Sequence, residues 1–217
     1  VGTIGTPLSG MKVQNCYFLG NGGNQLKSVY SNDFHYQDNQ FGSLAAIAHA
    51  DVGCLLENSS AGTYQGNYHW DNVIGFQSNS GNYLTIALNR FEQSDTQNVF
   101  VNGGANIIFT ANKAHTASQT ASGVSDNCFF TNVDHLIITE NSLFTFDATY
   151  SRWGINIDDG CLRVTIGKNK ITTTSFDSTN FGPIRVSGAV FALGIGADRV
   201  LIGSTTATVA ARSTVYL

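Results

Sequence analysis

The sequence predicts an all-β solenoid, and three observations carry that expectation. Five segments overlay on one template: Tyr83–Phe91, Asn106–Ala114, His135–Leu143, Arg163–Ile171 and Arg199–Ala207. Each contains apolar, any, apolar, any, any, Asn, any, apolar; the Asn is Asn89, Asn112, Asn141 and Asn169, with Thr205 in the last copy. The copies recur at unequal intervals of 23, 29, 28 and 36 residues (positions 89, 112, 141, 169 and 205), as a constant strand–turn unit with a variable loop would give. Only 12% of residues are charged, half the usual share of roughly 25%, so the polar surface must come from Asn, Ser, Thr, Gln and Gly.

Each element of the repeat follows from residue type. Leu84, Ile107, Leu136, Val164 and Val200 lie five residues before the template position. Ile86, Phe109, Ile138, Ile166 and Ile202 lie three before it. Two-residue alternation puts both sets on the inner face of a strand. The Asn suits a bend because it tolerates left-handed backbone angles, and stacked Asn side chains can hydrogen-bond from coil to coil. Phe91, Ala114, Leu143, Ile171 and Ala207 then point inward from the next strand.

A second strand is expected before each copy, at Val99–Val101, Cys128–Phe130, Ile155–Ile157 and Phe191–Leu193. Variable loops fall at His115–Asp126, Thr145–Arg152 and Thr172–Arg185. Earlier coils are expected around Val13–Phe18, Val29–Phe34, Leu55–Asn58 and Val73–Phe76, without a fixed register; Phe41–Asp51 is the one candidate short helix. The chain is read as one domain, 1–217, of seven to eight coils, with 83–207 the best defined. Its start at Val1 suits a processed or excised part of a longer chain.

The strand–turn–strand–Asn–strand template resembles the single-stranded right-handed parallel β-helix of the pectate-lyase-like superfamily, and among its members most resembles phage tailspike depolymerase segments. A β-sandwich would also show many short strands but gives no reason for a recurring Asn bend. The resemblance implies a polysaccharide partner and an extracellular or virion-surface location. No cofactor and no metal is expected.

Bulk charge and cysteine usage exclude other classes. A net charge of −4 with no long basic run argues against nucleic acid. No apolar stretch approaches a membrane span, so no membrane insertion is expected. Cys16, Cys54, Cys128 and Cys161 lack C-x-x-C spacing and are read as buried small apolar residues.

The candidate catalytic residues are Asp158 and Asp159, adjacent carboxylates in Asn156-Ile157-Asp158-Asp159-Gly160 that suit general acid–base work on a glycosidic bond. They partly resemble the acidic motif of polygalacturonase-like enzymes, whose Gly-His-Gly and Arg-x-Lys are absent. The same residues also suit a plain turn. Asn132-Val133-Asp134-His135 resembles a pectate-lyase strand, but the Trp and the Arg-x-x-Pro-x-x-Arg of those enzymes are missing.

Candidate substrate-binding residues are Tyr150, Arg152 and Trp153, just before the acidic pair, with Trp70 in a second aromatic cluster. His135 and Arg163 join them in an outward column with Tyr83, Asn106 and Arg199, six residues before the template position. Two positions along this strand, Thr85, Ile108, Ile137, Thr165 and Leu201 should face outward, an apolar strip that a loop would cover, or a neighbouring subunit in a homotrimer with the strip near its axis. Glu140 and Lys168 should meet as an exposed pair on successive coils.

Three functions fit: a polysaccharide-degrading β-helix, a non-catalytic glycan-binding or adhesin segment, and a structural shaft of a viral fibre. The fold does not separate them.

Overall fold

The structure, a computed structural model, describes residues 7–20, 22–43, 49–118, 125–145, 151–158, 160–173, 182–186, 191–195, 199–202 and 205–206; for 145, 173 and 191 onward it describes the backbone. The described residues form a parallel β-helix with three walls. The first wall stacks Val99↔Cys128↔Ile155↔Ile184, and the second stacks Leu84↔Ile107↔Leu136↔Val164↔Leu193. Long strands such as Asn72–Ala87, Val99–Thr110 and Cys128–Thr139 bend to serve both walls. The third wall stacks Tyr17–Leu19, Gln40–Gly42, Tyr68–Trp70, Arg90–Glu92, Lys113–His115, Ser142–Thr145, Lys170–Thr173 and Arg199–Ile202 in parallel. Thr205–Thr206 folds back antiparallel on the last of these.

The expected Asn repeat is a continuous buried ladder. In each step one Asn side chain accepts, at its Oδ1, the backbone N–H and the Nδ2–H of the Asn one coil earlier, at 2.9–3.1 Å. Each Nδ2 also donates to a carbonyl of the preceding coil, as Asn112 does to Ile86 at 2.9 Å. Spacing alone did not locate the early coils; the ladder places them at Asn67, Asn39 and Cys16, whose backbone N–H donates to Asn39 Oδ1. Six turns therefore run from Cys16 to Asn169, slightly fewer coils than the spacing suggests.

The Asn does not occupy the left-handed position. The preceding residue does: Asp38, Gly66, Leu88, Ala111, Glu140 and Lys168 all have φ between 54° and 67°. A second left-handed column runs through Asp33, Ala61, Tyr83, Asn106, His135 and Arg163. Non-Gly residues rarely sit there. Here the parallel ladders on both sides fix each bend, so the backbone accepts the conformation whatever the side chain. At Gly104 the requirement is stricter: φ is +114° and a Cβ would lie 1.7 Å from the Gly81 carbonyl oxygen.

The register of the last copy differs from the template overlay. Phe191–Ile195 pairs with Leu162–Ile166 on the second wall, and Arg199–Ile202 pairs with Lys170–Thr173 on the third. Leu193, Ile195 and Val200 thus hold the template's apolar places, and Ile184–Val186, not Phe191–Leu193, continues the first wall. Arg199 and Leu201 therefore do not join the columns of Arg163 and Thr165. Apolar alternation identifies a strand but not which wall it belongs to. The candidate helix falls largely on residues 44–48, outside the described residues; Phe41 and Ala50–Asp51 are in strands. No helix long and apolar enough to cross a membrane occurs among the described residues.

The core is one cluster running the length of the solenoid, from Phe34, Tyr36 and Phe41 through Phe76, Phe109 and Phe130 to Ile184 and Val186. Cys54, Cys128 and Cys161 are buried and free within it, and Cys16 is half-buried and free. Burial pushes the Cys54 and Cys128 thiols well above their ordinary range and raises that of Cys161, as inert core residues require.

Candidate functional site

The outward residues of the first wall alternate with its core residues and stack between coils as Gln77, Phe100, Phe129, Asn156 and Arg185. Phe100 and Phe129 lie face to face, centroids 5.4 Å apart and planes within 7°. Both are half-buried, and in this stack each covers one face of the other's ring. Next along the stack Asn156 donates from Nδ2 to Asp126 Oδ2 at 2.7 Å. Arg152 donates from Nε and Nη2 to the two Asp126 oxygens, each at 3.1 Å.

Asp126 is 1% exposed, and burial pushes its carboxyl above the usual range. Hydrogen bonds from Asn156 and Arg152 and the charges of Arg152 and Arg185 oppose that shift. Asp126 ends the loop that enters the wall, and Asn127, one residue on, fixes it there by accepting from Asn98 Nδ2 at 2.8 Å. Arg152 is clamped at the same edge: its N–H donates to the Ser125 carbonyl, and its carbonyl accepts from Gly182. One guanidinium thus chelates a desolvated carboxylate, and a second, Arg185, acts on it through its charge. Asp158 follows two residues after Asn156, about 7 Å along the strand. It is half-buried, and its N–H donates to the Phe130 carbonyl.

The expected site residues separate onto three faces. Arg152 and Asp158 share the first wall. Trp153 belongs to the same strand but is 4% exposed, so its ring packs into the wall and has no open face for a sugar. Tyr150 and Asp159 lie outside the described residues. Asp126 was not singled out from sequence; a lone Asp between Ser125 and Asn127 reads as an ordinary loop residue.

His135 and Arg163 are exposed at the corner between the first and second walls. His135 Nδ1 lies 3.0 Å from Asn106 Oδ1, and Arg163 chelates Asp134 of the preceding coil, with Nε donating at 2.8 Å. His135 borders a groove of about 230 Å³ with Tyr83, Thr85, Ile108 and Ile137. The apolar strip is outward as expected: Ile108 is 37% exposed. Glu140 and Lys168 meet at 4.0 Å in the open.

Trp70 lies on the third wall, its ring flat over Gly42, where a Cβ would fall 2.1 Å from the indole. No group of three His, Cys, Asp or Glu residues able to hold a metal occurs among the described residues.

No protein-family model and no curated protein matches the sequence. Solved structures do match the fold. The A-module of Azotobacter vinelandii mannuronan C-5 epimerase AlgE4 superposes with a TM-score of 0.66 at 11% identity, over 89% of this chain and 55% of that one. An alginate lyase from Paenibacillus sp. superposes with a TM-score of 0.62 at 9% identity, over 78% of this chain and 69% of that one. The Pseudomonas phage phi297 tailspike gp61 matches at a TM-score of 0.48 and 8% identity, over 94% of this chain and 44% of that one. The chain thus spans about half the length of the epimerase module. At these identities the likeness is one of architecture: the chain has the parallel β-helix fold.

Proposed function

We propose that this solenoid recognises and cleaves an acidic bacterial surface polysaccharide across its first wall. The observation that carries this reading is the Asp126–Arg152–Asn156 cluster with Arg185, set beside the Phe100–Phe129 stack. Flat rings accept pyranose faces, and a guanidinium binds a sugar carboxylate as a forked donor; with the Arg152 fork engaged on Asp126, Arg185 is that donor. Asp158 is the accessible carboxylate of the cluster and acts as the proton-transfer group, with Asp159 as its partner. Two of the structures that share the fold are named as an alginate lyase and a mannuronan epimerase, which supports a uronate-containing substrate. On this reading the protein works outside the cell or on a virion surface, as a homotrimer joined through the Ile108–Ile137 strip.

Incubation with alginate and with capsular and O-antigen polysaccharides tests the reading. Hydrolysis yields new reducing ends alone; elimination yields them with an unsaturated-uronate absorbance. Asp158→Asn should lower the rate by about a hundredfold or more, and full activity in that variant would remove Asp158 from the mechanism.

One observation favours binding without cleavage: Asp126 is fully engaged by Arg152 and Asn156, so this cluster offers one accessible carboxylate among the described residues rather than two. Retained binding with no cleavage of any of these glycans would select that alternative.

A further inference from the structure

The third wall carries a second surface that the first-wall reading does not use. Its outward residues stack from coil to coil as Tyr17, Gln40, Tyr68, Arg90, Lys113, Ser142 and Lys170. Beside them run Gly42, Trp70, Glu92, His115 and Phe144.

The aromatic end is ordered. Tyr68 and Trp70 rings lie 4.8 Å apart, Arg90 sits 5.0 Å over the Tyr68 ring, and Tyr68 Oη donates to Glu92 Oε2 at 2.9 Å. Arg90 Nε also donates to Glu92, at 2.5 Å. The far end is basic: Lys113 and Lys170 are exposed, and neither has a carboxylate partner among the described residues. Among the described side chains here, Arg90, Lys113 and Lys170 stand against Glu92 and against Asp71, whose charge also reaches Tyr68, a surplus of one positive charge in a chain whose net charge is −4. His115 adds none at neutral pH, because burial holds its imidazole below the ordinary range.

We propose that the outer face of the third wall is a binding track for a linear polyanionic glycan running parallel to the solenoid axis. Successive coils rise about 4.8 Å, close to the length of one pyranose residue, so a chain lying along the axis meets an equivalent position in each coil. Sugar rings rest on Tyr68 and Trp70, and carboxylates reach Lys113 and, two rises on, Lys170. Glu92 is engaged by Tyr68 and Arg90, so the surface holds the chain and does not cut it. The inference rests on the polysaccharide reading only for the class of ligand; its site is separate.

The two tryptophans allow a direct test. Trp153 is 4% exposed on the first wall, so ligand quenching of the intrinsic emission reports on Trp70. Hexamannuronate should quench it with a salt-sensitive affinity, whereas a neutral dextran oligomer of equal length should not. The Lys113→Gln/Lys170→Gln variant should bind about tenfold more weakly. No quenching by hexamannuronate, equal binding of dextran, an unaffected double variant, or equally tight binding of single-stranded DNA would each overturn the proposal. Cleavage without quenching would sink only the track, and quenching without cleavage only the enzymatic reading.

Discussion

Replacing Asn112 by Ala should cost the protein far more than its single side chain suggests. The residue is fully buried in the middle of the ladder. Its Oδ1 accepts from the backbone N–H and Nδ2 of Asn89, both at 3.0 Å, and its Nδ2 donates to Ile86 O and Asn141 Oδ1. Asn89 Nδ2 keeps the Tyr64 carbonyl, and Asn141 Oδ1 keeps the Asn112 N–H. The Asn89 backbone N–H loses its acceptor, however, and the Ile86 carbonyl loses a donor. At about 1–3 kcal/mol for each buried group left short, the change should destabilise by about 3–5 kcal/mol. Urea denaturation would read this as a midpoint lower by about 1–3 M at a slope near 2 kcal/mol/M. Because a solenoid couples only neighbouring coils, the break should also separate unfolding of the two halves and lower the apparent slope. A loss under about 1 kcal/mol with an unchanged slope would refute the ladder as the main tie between coils.

Three further outcomes are expected. His69 is buried, with Nε2 2.5 Å from Tyr64 Oη, and burial holds its imidazole down at about 3. The unfolded chain then takes up a proton below about pH 6.5 that the folded chain refuses, so stability should be highest above that pH and fall by up to about 1.4 kcal/mol per unit toward pH 3; urea midpoints at pH 7, 5 and 4 should show this limb, and His69→Gln should flatten it. Arg152→Ala strands the Asp126 carboxylate and should destabilise by about 3–5 kcal/mol, most of it recovered in Arg152→Met/Asp126→Leu, as thermal or urea unfolding of the two variants would show. Light scattering at micromolar concentration should give a trimer mass, and Ile108→Asp should give a monomer; a monomeric parent would remove the apolar strip from any subunit contact.

Much of the fold was legible because the ladder needs one residue type at one place. The same rule, read with the structure in hand, also picks out Phe34-x-Tyr36-x-x-Asn39-x-Phe41 and Gly62-x-Tyr64-x-x-Asn67-x-His69. Two substitutions hid the latter. Gly62 stands where an apolar side chain is expected because the Phe34 ring fills the space, 2.1 Å from where a Cβ would be. His69 looks like a surface residue, yet it is held neutral in the core between the Phe41 and Phe91 rings. The last copy misled for the opposite reason: Arg-Val-Leu-Ile alternates as well on the third wall as on the second. The sites were less legible because they are made between coils. Asp126, Arg152 and Asn156 meet only once the intervening loops have returned each strand to register.

The ladder also separates side chains the fold needs from those it does not. Glu140–Lys168 and Asp134–Arg163 are cross-coil pairs that any solenoid with these neighbours would form, and both are exposed, where such pairs contribute little. The left-handed columns explain why Tyr83 and Leu88 protrude, 67% and 59% exposed: the bend turns their side chains outward whatever their type. Neither argument accounts for Phe100 stacked on Phe129, for the Tyr68–Trp70–Arg90 group, or for Lys113 and Lys170, which have no carboxylate partner among the described residues. Outward positions in the middle of a wall accept any polar residue at no cost to the core, and this chain is otherwise poor in charge and rich in Asn, Ser and Thr. Aromatic and cationic side chains concentrated on two walls are therefore the part of the surface that folding leaves unexplained, and stacking with charge pairing along a repeating polymer is the chemistry that they share.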